Sequence, residues 1–223
     1  MLLQSDEGFS TGAIGGSARV GAAVIALIAA LALGLQVFVS TGLLGSPGAA
    51  IWRMLGMFTV LTNILVLGTF ALIAVRGKAP GAFWMFALTL WILIVGIVYH
   101  ALLAHLWRPE GAAWWADQGL HSATPIAVAL WWGLFSAKTT LSWRHAAMAL
   151  GWPILYLAYA LVRGAMTGFY PYPFIDLDAL GAGMLAFNVV ALCVAFWIGG
   201  LLLITATRLM PRNGAGSATA GAA

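Results

Sequence analysis

A few polar side chains stand inside otherwise apolar stretches of this chain. Thr59, Thr62 and Asn63 share one stretch, His100 and His105 close the next, Asp117 and His121 open a third, and Tyr156 and Arg163 lie in a fourth. Thr59 and Asn63 are four residues apart, and so are Asp117 and His121, which puts each pair on one face of a helix. A hydroxyl beside an imidazole is the core of a nucleophilic hydrolase, the ring taking the hydroxyl proton as the oxygen attacks a carbonyl. Asp117 is spaced to orient the imidazole of His121. The metallopeptidase pattern H-E-x-x-H is absent from the sequence. Other readings stay open for the same residues. A membrane threonine commonly bonds its own i−4 carbonyl, an interfacial histidine commonly packs, and His100, His121 and Asp117 could together hold a metal.

The elements that position these groups follow from composition. Of 223 residues, 63% are hydrophobic and 7% charged, against roughly 45–50% apolar and about 25% charged in a soluble domain. Ten Lys+Arg and six Asp+Glu cannot cover a globule of this size, which excludes a water-soluble enzyme, and disorder needs the opposite bias. The net charge of +4 comes from basic residues scattered singly, so a nucleic-acid partner is excluded as well. The only cysteine, Cys193, sits in an apolar run and allows no internal disulfide. The 27 glycines suit close helix packing in lipid.

A crossing helix needs ~20 apolar residues. Six runs qualify: Val20–Val39, Ile51–Val75, Ala82–Leu106, Leu120–Phe135, Ala146–Val162 and Gly181–Thr207. Their length and continuity argue against a transmembrane barrel. The first run has an apolar core longer than the ~7–15 residues of a secretory leader, so it is read as retained. The expected fold is an all-α polytopic membrane protein of six transmembrane helices, one domain over residues 1–212, with a Gly/Ala/Ser-rich flexible tail at 213–223.

Orientation follows from the basic residues of the short loops. Arg19, Arg76, Lys78, Lys138, Arg144, Arg208 and Arg212 fall on one side, and Arg53, Arg108 and Arg163 on the other. Both termini are therefore expected in the cytoplasm. Trp52, Trp107, Trp114 and Trp115 read as an outer aromatic belt. In this frame Thr59 lies about 9 Å inside Arg53, at 1.5 Å per residue. Thr59, His100, His121, Tyr156 and Arg163 all fall in the outer third of the bilayer, and the cytoplasmic half carries no such group. An intramembrane polar residue is a functional hypothesis by default.

Three segments resemble the androgen-induced membrane-protein family, which includes the androgen-dependent TFPI-regulating protein and a bacterial six-helix branch. Phe58-Thr59-Val60-Leu61-Thr62-Asn63 is similar to its threonine-bearing helix. Asp117-Gln118-Gly119-Leu120-His121-Ser122-Ala123-Thr124-Pro125 is similar to its histidine-bearing segment. Arg163-Gly164 and Gly168-Phe169-Tyr170-Pro171-Tyr172-Pro173-Phe174 form the third and most specific match. The resemblance implies a membrane-embedded threonine hydrolase of fatty acid esters of hydroxy fatty acids, without cofactor or metal, in a bacterial inner membrane. Carried over, the catalytic threonine falls on Thr59, with Thr62 one turn away as the alternative register, and the histidine on His121. Asn63, His100, Asp117, Tyr156 and Arg163 are then candidates to hold or polarise a lipid substrate within the bilayer. Tyr170 and Tyr172 belong to the loop expected to cap the site. The competing expectation is a non-catalytic lipid- or small-molecule-binding protein or a transporter.

Overall fold

The structure is a computed structural model and describes residues 13–136 and 141–209. The expected tail at 213–223, and Lys138 and Arg212, lie outside the described residues.

Helix α1 (Gly16–Leu44) buries a stripe of small residues, Ala18, Ala22, Ala29 and Ala32, with Ile25 between them. Its other face turns Val20, Val24, Leu27 and Leu31 outward, an apolar surface suited to lipid rather than water. Small side chains on the buried stripe let neighbours approach closely. Trp131 Nε1 donates to the Ala18 carbonyl at 2.8 Å, and a Cβ on Gly119 would stand 2.6 Å from that of Ala32.

Helix α2 (Pro47–Met54) starts at Ser46, whose hydroxyl accepts from the Ala49 amide, with Pro47 in the first turn. Helix α3 (Phe58–Arg76) follows and ends at Gly77, which adopts φ 62°. The run expected as one helix over Ile51–Val75 is thus two, broken at Leu55, Gly56 and Met57. The break exposes the first-turn amides of α3, because its N-cap residue Met57 supplies no side-chain acceptor.

Helix α4 (Ala82–Val98) is the core helix, buried from Met85 through Ile92. It widens at its end into a π-helical turn, Tyr99–Leu103. Helix α5 (Ala112–Gln118) leads into a second π turn, Gly119–Ala123, and then α6 (Thr124–Phe135). The second π turn has an identifiable cause. Pro125 has no amide to donate to the carbonyl of His121 four residues earlier, so the ladder loosens there. Gly96 lets α4 close on that spot, since a Cβ would stand 2.9 Å from the His121 carbonyl oxygen and 3.4 Å from Pro125 Cγ.

Helices α7 (Trp143–Met148) and α8 (Gly151–Thr167) lead to α9 (Leu177–Leu209), which is hinged at Gly181, φ 72°. Regular helix beyond that hinge agrees with the run expected from Gly181. Among the described residues the fold is all-helical. Five helical segments are long and apolar enough to cross a membrane: Gly16–Leu44, Phe58–Arg76, Ala82–Leu103, Trp143–Thr167 and Leu177–Leu209. The run expected over Leu120–Phe135 is not such a helix by itself. Its regular part, α6, has 12 residues, short of the ~20 required, and it continues α5 through the π turn.

The two ends of the bundle differ in charge. The Arg19 guanidinium donates to the carbonyls of Ala74 and Val75, which joins the start of α1 to the end of α3 beside Arg76 and Lys78. His145 packs against Phe83 at 5.7 Å, bringing Arg144 to the same end. Arg163 donates to the Trp52 carbonyl at the opposite end, near Arg53.

Candidate functional site

The polar residues singled out in the sequence gather at the Arg53–Arg163 end, but they form two neighbouring groups rather than one. The first is built on the first turn of α3. Thr59 is 8% exposed, and it lines an apolar cavity of about 80 Å³ between α3 and α4 on one side and α8 and α9 on the other. Phe58, Val95, Tyr156, Leu157, Cys193 and Phe196 contribute to its wall. Ile154, which also lines it, is 51% exposed on the outer surface of α8. The cavity therefore reaches the side of the bundle that lipid would cover.

At the polar end of this cavity Tyr172 meets Thr59 twice. The Thr59 amide donates to the Tyr172 hydroxyl at 3.3 Å, and the two side-chain oxygens lie 3.4 Å apart. Thr59 N–H is one of the orphan donors of a helix start, and the phenol caps it. Burial pushes the Tyr172 phenol above the ordinary tyrosine range, an effect partly offset by its hydrogen bonds with Thr59. It is therefore neutral and keeps its hydroxyl proton. The Tyr172 ring stacks on Phe174, centroids 5.2 Å apart and planes 4° from parallel. Asn188 of α9 donates to the Phe174 carbonyl at 3.0 Å, and Tyr172 and Phe174 of this loop line this end of the cavity.

The second group sits on the two π turns. His121 Nδ1 lies 3.1 Å from the Asp117 carbonyl oxygen and 3.2 Å from Asp117 Oδ1. With the Asp117 carbonyl as its hydrogen-bond acceptor, Nδ1 carries the proton of the neutral ring and leaves Nε2 as the basic atom. Tyr99 stacks on the ring at 3.8 Å and donates to Asp117 Oδ2 at 2.7 Å. Asp117 is 2% exposed and shares a polar recess with Tyr99, His100, Arg108 and Gln118. His100 turns to this recess and pairs with Ser122 at 3.0 Å, which in turn donates to Gln118.

One side chain links the groups. Asn63, fully buried, donates from Nδ2 to the carbonyl of Thr59 at 2.9 Å and to that of Leu120 at 3.3 Å. No hydrogen bond joins Thr59 to His121, and His121 is not among the residues that line the Thr59 cavity, so the expected nucleophile and base are not a formed pair.

The remaining candidates have other partners. Thr62 is fully buried away from the cavity and accepts from Trp152 Nε1 at 3.1 Å. Tyr156 lines the cavity, but its hydroxyl donates to the Gly56 carbonyl at 2.9 Å. Arg163, expected as a carbonyl or carboxylate ligand, instead binds the Trp52 carbonyl and the Tyr159 hydroxyl and lies over the Trp52 ring at 4.4 Å. It caps the carbonyl end of α2, where a cation is favoured. The Tyr170 ring occupies the space left by the absent side chain of Gly164.

Tyr99, Trp152 and Cys193 are site-region residues that the sequence did not single out for chemistry. Their contacts run between helices, and no spacing along the chain reveals them. The letters Gly8-Phe9-Ser10-Thr11-Gly12 spell the G-x-S-x-G of serine hydrolases. They lie outside the described residues, and that motif needs the strand-to-helix elbow of a sheet, which the described residues lack. Nor do three or more His, Cys, Asp or Glu side chains converge among the described residues to hold a metal.

No protein-family model, curated protein or solved structure matches this chain. The family resemblance therefore rests on the segments that carry it, and the functional reading rests on the site.

Proposed function

We propose that this protein is a membrane-embedded hydrolase of fatty-acyl esters, such as fatty acid esters of hydroxy fatty acids, with Thr59 as nucleophile and His121 as base. One observation carries the reading. The Thr59 hydroxyl stands at the polar end of an apolar cavity that opens toward the lipid-facing side of the bundle. An acyl chain fits such a wall, and its ester carbonyl would come to rest beside Thr59. Thr59 Oγ1 then bonds to the carbonyl carbon while its proton passes to His121 Nε2, through a water or as the helices close. Collapse breaks the ester C–O bond, the leaving alkoxide takes that proton, and water releases the acid from the threonine.

The same reading places the chain in a bacterial inner membrane with both termini cytoplasmic. Helices α5 and α6, continuous through their π turn, serve as the sixth span, and the basic end at Arg19, Arg76, Lys78 and Arg144 faces inward. Hydrolysis of a long-chain acyl ester by the purified protein, abolished in both Thr59→Ala and His121→Ala, is the expected result. Unchanged turnover in both variants would refute the assignment.

A second reading is favoured by the absence of a Thr59–His121 hydrogen bond among the described contacts. In it the cavity holds a lipid without turning it over. Stoichiometric recovery of one intact acyl ester after prolonged incubation would select this reading over the first.

A further inference from the structure

We propose that Tyr172 is a catalytic residue, its phenol donating a hydrogen bond to the ester's carbonyl oxygen as that oxygen gains negative charge. The inference rests on the acyl-ester reading of the Thr59 cavity and adds the group that reading leaves unnamed, the stabiliser of the oxyanion.

Position is the first ground. Tyr172 Oη lies 3.4 Å from Thr59 Oγ1 and 3.3 Å from the Thr59 amide nitrogen. A carbonyl attacked by Thr59 Oγ1 must place its oxygen in this same space, next to an N–H of a helix start, where negative charge is favoured. Both contacts are longer than the ~2.7–3.0 Å typical of well-formed hydrogen bonds to a hydroxyl. A substrate oxygen can therefore replace them at low cost.

Rigidity is the second ground. Transition-state stabilisation by hydrogen bonds depends on donors fixed before the reaction. Pro171 and Pro173 flank Tyr172 and limit its backbone. The turn Pro173–Ile175 follows it at once, closed by the Ile175 amide donating to the Tyr172 carbonyl at 3.1 Å. The Phe174 stack and the Asn188 bond then hold the loop to α9.

Chemistry is the third. Burial keeps the phenol protonated, so it is a donor. Of the other tyrosines near the cavity, Tyr156 donates its hydroxyl hydrogen bond to the Gly56 carbonyl, and Tyr170 lies against Gly164. In the step itself the Thr59 Oγ1–carbon bond forms and the carbonyl π pair moves onto oxygen. That oxygen accepts from Tyr172 O–H and Thr59 N–H, and no proton leaves the phenol. The pair returns when the ester C–O bond breaks.

The test compares wild type, Tyr172→Phe and Tyr159→Phe in detergent with a chromogenic long-chain acyl ester, alongside thermal unfolding. Tyr172→Phe is expected to lower kcat by ~10²–10³-fold, the loss seen when one oxyanion donor is removed. KM and unfolding temperature should stay near wild type, and Tyr159→Phe, whose hydroxyl donates to the Leu55 carbonyl outside the cavity, should keep kcat near wild type. Fluorotyrosine incorporated at position 172 keeps the shape and changes only the acidity of the O–H. A shifted kcat there supports the proposal even where Tyr172→Phe folds poorly. Unchanged kcat in Tyr172→Phe, or a rise in KM alone, would overturn the proposal while wild-type turnover leaves the esterase reading standing. Absence of turnover in the wild type would remove that reading, and the role of Tyr172 with it.

Discussion

Asn63 donates its side-chain amide to the carbonyl of Leu120 at 3.3 Å, from a position with no exposure to solvent. The same amide reaches the Thr59 carbonyl one turn back on its own helix. A single buried group thus bridges the threonine helix and the segment that carries His121.

Replacing Asn63 with Ala leaves the Leu120 carbonyl without this donor in an apolar interior. The expected cost is about 1–3 kcal/mol, the usual penalty for orphaning a buried polar group, read as a lower unfolding temperature in detergent. Hydrolysis should fall further than stability alone explains, because the spacing of Thr59 and His121 is lost as well.

Asp117 offers a finer discrimination. His121 Nδ1 has the Asp117 backbone carbonyl as well as its carboxylate, so the ring keeps its tautomer when the side chain becomes an amide. Asp117→Asn should lose no more than about tenfold in kcat, far less than the ~10⁴-fold that a wrong tautomer costs a catalytic imidazole. Asp117→Ala strands the Tyr99 hydroxyl, now 2.7 Å from Oδ2, and should unfold at a distinctly lower temperature.

Gly164 and Gly183 make a matched pair for the loop. A methyl group on Gly164 would overlap the Tyr170 ring, whereas one on Gly183 meets nothing within 4 Å. Gly164→Ala should cost about 1–3 kcal/mol by overpacking and depress turnover by displacing the loop that holds Tyr172. Gly183→Ala should leave both near wild type.

Cys193 is the only cysteine and lines the Thr59 cavity. Alkylation with a bulky, membrane-permeant maleimide should cut turnover by at least about tenfold, since an adduct there competes with the acyl chain for an apolar pocket. The variant Cys193→Ala should keep its activity and be insensitive to the reagent.

Much of the frame was legible before any coordinates. Continuous apolar runs foretold the long helices, and the four-residue spacings put Thr59 with Asn63, and Asp117 with His121, on shared helix faces; that Asn63 donates to the Thr59 carbonyl is seen only in the fold. Other features were hidden for physical reasons. The break at Gly56 carries no proline or charge to announce it. Pro125 was visible, but the close approach of α4 at Gly96 to the widened turn it causes was not. Arg163 looked like a ligand for substrate because its carbonyl partner lies 111 positions away. Tyr172 and Thr59 are separated by 113 positions, so only the folded loop brings them together. The Tyr-Pro-Tyr-Pro-Phe stretch drew notice for its composition, and its service to Thr59 became visible in three dimensions.

The central claim is that Thr59 is the nucleophile, and the most direct test is to find where a reactive acyl mimic attaches. A lipophilic fluorophosphonate applied to the protein in membranes, followed by peptide mass spectrometry, should place the adduct on Thr59. Labelling should vanish in Thr59→Ala and in His121→Ala and persist in Thr62→Val, whose hydroxyl is engaged with Trp152. An adduct on another residue, or undiminished labelling in Thr59→Ala and His121→Ala, would contradict the account.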